Sequence, residues 1–148
     1  RCTRRMPPSK VEQMKKSDLI FVYGTLMSGF EGPYAVFLRK NADLLGEASC
    51  SGYLYHVSWY PGLVLSPEAL AFGELYKIKE SSGVTLWATL DEYEGVDPAL
   101  LAGDEYIRRQ VDVRMDGKIF TAWTYLFTGP KKGKPIAGGR FYPDTSEL

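Results

Sequence analysis

Leu19-Ile20-Phe21-Val22-Tyr23-Gly24-Thr25 decides how the rest of the chain is read. Five apolar residues run without interruption and stop at a Gly-Thr pair. A run this short and continuous predicts a strand buried on both faces, ending in a turn. Outward from it, Tyr34, Phe37 and Leu38 stand at helical spacing within residues 34–40. Ala48 to Val57 alternates loosely, Leu63 to Leu65 follows a Pro61-Gly62 turn, and Ala71 to Ile78 predicts a further strand. Residues 84–93 return to helical spacing, with Leu86 and Leu90 four apart, Ser81-Ser82 offering an N-cap and Gly95 a stop. Tyr106 to Val113 and Ile119 to Phe127 flank Asp116-Gly117, the signature of a tight hairpin. The tail from Thr128, rich in Gly, Pro and Lys, predicts a surface loop or arm. The sum is an α/β (α+β) fold: a mixed, partly closed, barrel-like sheet of six or seven strands with two main helices packed on it.

The chain has 148 residues, 45% hydrophobic and 24% charged, which suits one globular domain. We expect that domain over 18–148, after a disordered leader or added extension at 1–17. Met6 and Met14 are both candidate starts. Eighteen basic residues balance eighteen acidic ones, so no field favours nucleic acid or an anionic membrane. No apolar run approaches the roughly 20 residues of a membrane span. Cys2 and Cys50 are expected as reduced thiols, which points to the cytoplasm.

Glu94 stands four residues beyond Leu90 and eight beyond Leu86, on the same helical face. Glu92 falls opposite, and Asp91 to the flank. A carboxyl turned toward a core, at the negative end of a helix, has its pKa raised and becomes suited to acid/base work. A Glu facing solvent at a frayed helix end is the other reading, and geometry alone leaves both open. Tyr23-Gly24-Thr25-Leu26, where a buried strand meets a Gly turn, can present consecutive amides to an anion or an oxyanion. It can equally be a plain strand-ending turn.

His56 is the sole histidine. Without a second ligand of that kind no metal site is expected, and His56 is assigned to a strand face. A Cys50–His56 nucleophilic pair lacks an orienting group. Pro130-Lys131-Lys132-Gly133-Lys134-Pro135 is assigned to a solvated loop. Trp59, Trp87 and Trp123 are assigned to core or rim, since no basic stripe accompanies them.

The ordered motifs resemble those of the gamma-glutamylcyclotransferase-like family, which includes the AIG2-like proteins. Phe21-Val22-Tyr23-Gly24-Thr25-Leu26 is similar to its opening signature. Leu90-Asp91-Glu92-Tyr93-Glu94-Gly95 is similar to the one that ends in its catalytic Glu before Gly. Between them lie family-like strands at Gly52-Tyr53-Leu54-Tyr55, Tyr60-Pro61-Gly62-Leu63-Val64 and Gly73-Glu74-Leu75-Tyr76. Tyr106-Ile107-Arg108-Arg109 and Ala122-Trp123-Thr124-Tyr125 follow. The resemblance spans residues 19–127 and extends toward Gly139-Arg140-Phe141.

It implies cleavage of a gamma-glutamyl amide by the substrate's own α-amine, releasing 5-oxoproline and a free amine. Glu94 would be the acid/base. Tyr23, Gly24, Thr25 and Leu26 would line the substrate loop, and Tyr125 would reach substrate from a late strand. Arg108 would support the Glu, anchor a carboxylate, or simply face outward from its strand. Tyr60-Pro61 would rim the cavity or form a plain turn. No cofactor is implied, the partner is a small gamma-glutamyl substrate, and the chain would be a monomer or weak dimer. A non-catalytic binding or regulatory domain on the same fold is the rival reading.

Overall fold

A computed structural model describes residues 18–97, 99–131 and 133–142. The expectations for 1–17, including Cys2 and the candidate starts, lie outside the described residues. So do Lys132 and the stretch from 143 onward.

The decisive run forms β1 (Leu19–Val22), and Ile20, Phe21 and Val22 are buried as an all-apolar strand requires. Helix α1 (Pro33–Asn41) follows with Pro at its first turn, where the missing amide costs nothing. Ala35 and Leu38 are its buried residues, and Tyr34 and Phe37 pack against the core beside them. Next come β2 (Ala42–His56) and β3 (Pro61–Ile78), paired antiparallel along nearly their whole lengths. The separate strands expected at Leu63–Leu65 and Ala71–Ile78 are therefore one. The register shows why they read as two: Ser51 pairs with Leu70 while its neighbour Gly52 pairs with Leu65. Ser66 to Ala69 bulge out of the ladder, and the alternation of the sequence breaks there.

Helix α2 (Gly83–Glu94) buries Leu86 and Leu90, and it ends at Gly95 in the left-handed region with φ 71°. The Gly95 amide donates back to the Asp91 and Glu92 carbonyls, satisfying groups that would otherwise fray. Ser82 holds the N-cap position but makes no side-chain cap there, because its own backbone is already helical. The short strands β4 (Val96–Asp97) and β5 (Ala102–Gly103) pair immediately after the helix. The sequence gives them no readable period. A Cβ on Gly103 would stand 1.9 Å from the Gly95 carbonyl oxygen, so the helix end and this hairpin touch backbone to backbone.

β6 (Tyr106–Met115) and β7 (Lys118–Phe127) make the expected hairpin. Asp116 and Gly117 have φ 54° and 77°, as a type I′ turn demands at both central positions. The strand order is β1-β7-β3-β2-β6-β5-β4, with additional β1–β3 and β6–β7 pairings. β7 runs parallel to β1 and β3, and the other pairings are antiparallel. The mixed seven-stranded sheet thus curls partly into a ring without becoming a barrel.

Part of the tail docks on the sheet, which the expected surface loop or arm did not include. Ile136 donates to the Leu54 carbonyl at 2.6 Å, Arg140 bridges to Phe72, and Phe141 is buried. An apolar residue at each end of a Gly-rich turn holds it against the sheet. The expected solvated character holds at Pro130, Lys131 and Lys134, and again at Ala137, Gly138 and Tyr142, which are exposed.

β1 and β3 meet closely where Gly73 lies under the end of β1. A Cβ at Gly73 would fall 2.2 Å from the Val22 carbonyl oxygen and 3.0 Å from Phe21 Cζ. Gly73→Ala is therefore expected to destabilise the fold by about 1–3 kcal/mol, since two strands must part to admit a methyl group. Gly29→Ala, whose Cβ meets nothing within 4 Å, is expected to change little. Urea midpoints of the two variants check this, and equal midpoints would show that β1 and β3 are not tightly apposed.

Candidate active site

The C-terminal end of β1 and the C-terminal end of α2 open into one cavity of about 170 Å³. Tyr23, Gly24, Thr25 and Leu26 line it from the first strand, Glu94 from the helix end, and Tyr125 from β7. All six residues singled out from the sequence are thus brought together. Tyr60, Pro61, Tyr93, Glu105 and Tyr106 also form walls, with Trp59 at the rim.

The turn after β1 is held from below. Met27 donates to the Gly24 carbonyl at 3.0 Å, and Phe30 to that of Met27 at 3.0 Å. Ser28 donates its amide and its hydroxyl to the two carboxylate oxygens of Glu74 on β3, each at 2.6 Å. Arg39 of α1 donates to the Phe30 carbonyl at 2.9 Å. The amides of Thr25 and Leu26 make no hydrogen bond among the described residues. Gly24 has no positive φ; its role is close approach, because a Cβ would lie 2.8 Å from Pro61 Cγ.

Glu94 is half-buried: its side chain reaches the cavity, but protein crowds out most of the water around it. Burial pushes its carboxyl up to about 8, and the negative charges of Glu105 and Asp91 push the same way. A carboxyl at that value holds and releases a proton near neutral pH. The frayed, solvent-facing alternative does not describe it, because Gly95 and the β4–β5 hairpin fix the helix end.

The tyrosines that line the cavity are committed to the protein. The Tyr23 hydroxyl donates to the Tyr125 carbonyl and accepts from the Leu63 amide at 3.3 Å. Tyr106 donates to the Pro61 carbonyl at 2.6 Å, and Tyr60 donates to Glu105 Oε1 at 2.7 Å. Burial raises Tyr23, Tyr106 and Tyr125 well above the ordinary tyrosine value, and the Glu105 hydrogen bond holds Tyr60 up at about 12. These groups stay protonated and act as fixed donors, not as bases.

Asp91 corrects the reading of the three clustered acids. It sits on the flank of α2, as its position requires, yet it is 1% exposed. Arg108 from β6 and Tyr125 from β7 close over it. Arg108 Nε lies 3.0 Å from Asp91 Oδ1, Arg108 Nη2 donates to Oδ2 at 3.2 Å, and the Tyr125 hydroxyl donates to Oδ1 at 2.7 Å. The guanidinium carbon stands over the rings of Trp87 and Trp123, 4.2 and 4.9 Å from their centroids. Arg108 is therefore neither a surface residue nor a ligand anchor at the cavity wall. It neutralises a buried carboxylate that in turn holds Tyr125. Two of the three tryptophans serve this packing. The signal available in the sequence was the i, i+4 pair Trp87 and Asp91 on one helical stripe.

Glu105 and Tyr106 were also missed as cavity residues. They stand just beyond a two-residue strand that leaves no periodic trace. His56 is exposed at the end of β2 while Cys50 is buried, and six positions along the strand separate them by about 20 Å. Burial pushes the Cys50 thiol up to about 11, the opposite of an activated nucleophile. Among the described residues no cluster of His, Cys, Asp and Glu could hold a metal ion, and no helix is long and apolar enough to cross a membrane.

Known proteins share this architecture. YkqA from Bacillus subtilis matches with a TM-score of 0.61 at 24% identity, over 84% of this chain and 39% of that one. The chain thus spans about two fifths of that protein's length. Protein ytfP from Escherichia coli matches with a TM-score of 0.57 at 29% identity, over 88% of this chain and 99% of that one. An AIG2-like protein from Mus musculus matches with a TM-score of 0.56 at 23% identity, over 74% and 76% of the two chains. No curated protein matches the sequence itself. A family model described as "Gamma-glutamyl cyclotransferase, AIG2-like" matches residues 20–143, which include the β1 turn, Glu94 and Tyr125 alike. The chain belongs to the gamma-glutamyl cyclotransferase, AIG2-like family.

Proposed function

We propose that the protein is a gamma-glutamyl cyclotransferase whose single acid/base is Glu94. The observation that carries this reading is a carboxyl tuned to about 8 in the same small cavity as a turn with two unengaged amides. In the reaction, the ionised Glu94 takes a proton from the substrate α-ammonium. The freed amine attacks the γ-carbonyl carbon, a C–N bond forms, and a five-membered ring closes with negative charge on oxygen. As that oxyanion collapses, the original amide C–N bond breaks. Glu94 gives its proton to the departing nitrogen, then takes the surplus proton from the cationic ring nitrogen and passes it to the released amine, so 5-oxoproline and an ammonium leave and the carboxylate is restored.

The nucleophile belongs to the substrate, which accounts for a site with no activated Ser or Cys. The amides of Thr25 and Leu26 are suited to the α-carboxylate or to the oxyanion. The fixed walls of Tyr60, Tyr106 and Tyr125 favour a bent glutamyl chain, and holding it near ring closure removes much of the entropic barrier.

Incubation with a panel of γ-glutamyl amides is expected to release 5-oxoproline from at least one of them. Folded protein that binds such amides but yields none would instead establish a non-catalytic binding domain.

A further inference from the structure

A second cavity, of about 590 Å³, adjoins the first. Thr25, Trp59 and Tyr93 line both. Thr25 Oγ1 and the Tyr93 hydroxyl are hydrogen-bonded at 2.7 Å, so the junction between the cavities is a polar pair one residue from Glu94. Beyond that pair the walls are aromatic. Tyr34 stacks on Tyr93 with ring centroids 4.2 Å apart, and Phe30 stacks on Phe141 at 5.8 Å. Among the described residues, no charged one lines this second cavity. Trp59 is 69% exposed, a large apolar surface at the shared rim whose ring meets that of Tyr60 edge-on.

We infer that this aromatic cavity receives the leaving amine, and that the amine carries an apolar or aromatic body with no second charge. The inference rests on the cyclotransferase reading and deepens it. A glutamyl head bound between the β1 turn and Glu94 must send its amide substituent out past the residues the two cavities share. A ring on that substituent gains aromatic stacking and buried apolar area there. A second ammonium or carboxylate would be desolvated with no opposite charge among those lining residues, which such a lining penalises. The contacts are made alike in ground and transition states, so the preference appears chiefly in KM.

The test compares kcat/KM for γ-glutamyl amides of 2-phenylethylamine, methylamine, 1,5-diaminopentane and glycine. The phenylethyl amide is expected to exceed the diamine and glycine amides by about tenfold or more, mainly through a lower KM. Gly32→Asp supplies the converse. Gly32 lines the cavity, its Cβ would meet nothing within 4 Å, and it holds the N-cap of α1, where Asp is favoured. That carboxylate is expected to shift the ratio toward the diamine amide. Charged amides cleaved as well as the phenylethyl amide, or a ratio unmoved by Gly32→Asp, would overturn the subsite while leaving the cyclotransferase intact. No 5-oxoproline from any of the four would overturn both.

Discussion

Replacing Glu94 with Gln is expected to lower 5-oxoproline release by about 10²–10⁴-fold, the usual contribution of a positioned acid/base. Gln keeps the shape and hydrogen-bonding capacity of the side chain but cannot carry the proton from the α-ammonium to the leaving nitrogen. The same residue sets two pH dependences. The kcat/KM of the parent enzyme is expected to rise with pH until Glu94 is ionised, near 8. Stability runs the other way. A carboxyl raised from 4.5 to about 8 by burial is easier to ionise in the unfolded chain. Stability is therefore fully present below 4.5, falls as pH climbs through the interval, and levels off above about 8. Gln has no such ionisation, so Glu94→Gln is expected to match the parent in acid and to be more stable at pH 8. Thermal midpoints across that range, beside turnover, check both halves. Unaltered turnover removes Glu94 from the mechanism, and a stability difference that ignores pH removes the buried-carboxyl account.

Asp91→Ala is expected to have the largest effect on stability, about 3–5 kcal/mol, because it leaves the buried Arg108 guanidinium without its counterion. It also strips the Tyr125 hydroxyl of its acceptor, so turnover should fall in whatever protein still folds. Arg108→Ala is expected to cost a similar amount by the converse route. The double variant should cost less than the two singles together, because neither charge is then stranded. The Arg140–Glu47 pair provides the contrast. It has nearly the same separation, 2.9 Å, but Glu47 is 71% exposed, and Glu47→Ala is expected to cost less than about 1 kcal/mol. Urea denaturation of the set decides the matter. An Asp91→Ala loss no larger than that of Glu47→Ala would show that the ion pair does not hold this side of the cavity together.

Features whose cause lies within a few residues were legible along the chain. An unbroken apolar run made β1 a buried strand. Four-residue spacing put Leu86, Leu90 and Glu94 on one face, and Gly95 stopped the helix one residue after the acid. Asp116-Gly117 closed its hairpin because both residues tolerate positive φ. Tertiary structure decided everything that depends on register between distant strands. Arg108 meets Asp91 and Tyr125 because β6 and β7 pair with Arg108 opposite Tyr125, and because α2 lies across them. No local propensity encodes that meeting. Glu105 and Tyr106 enter the cavity, and Phe141 leaves the expected arm to become a wall, for the same reason: burial and charge pairing are settled by which segments come together, and local period is silent on that.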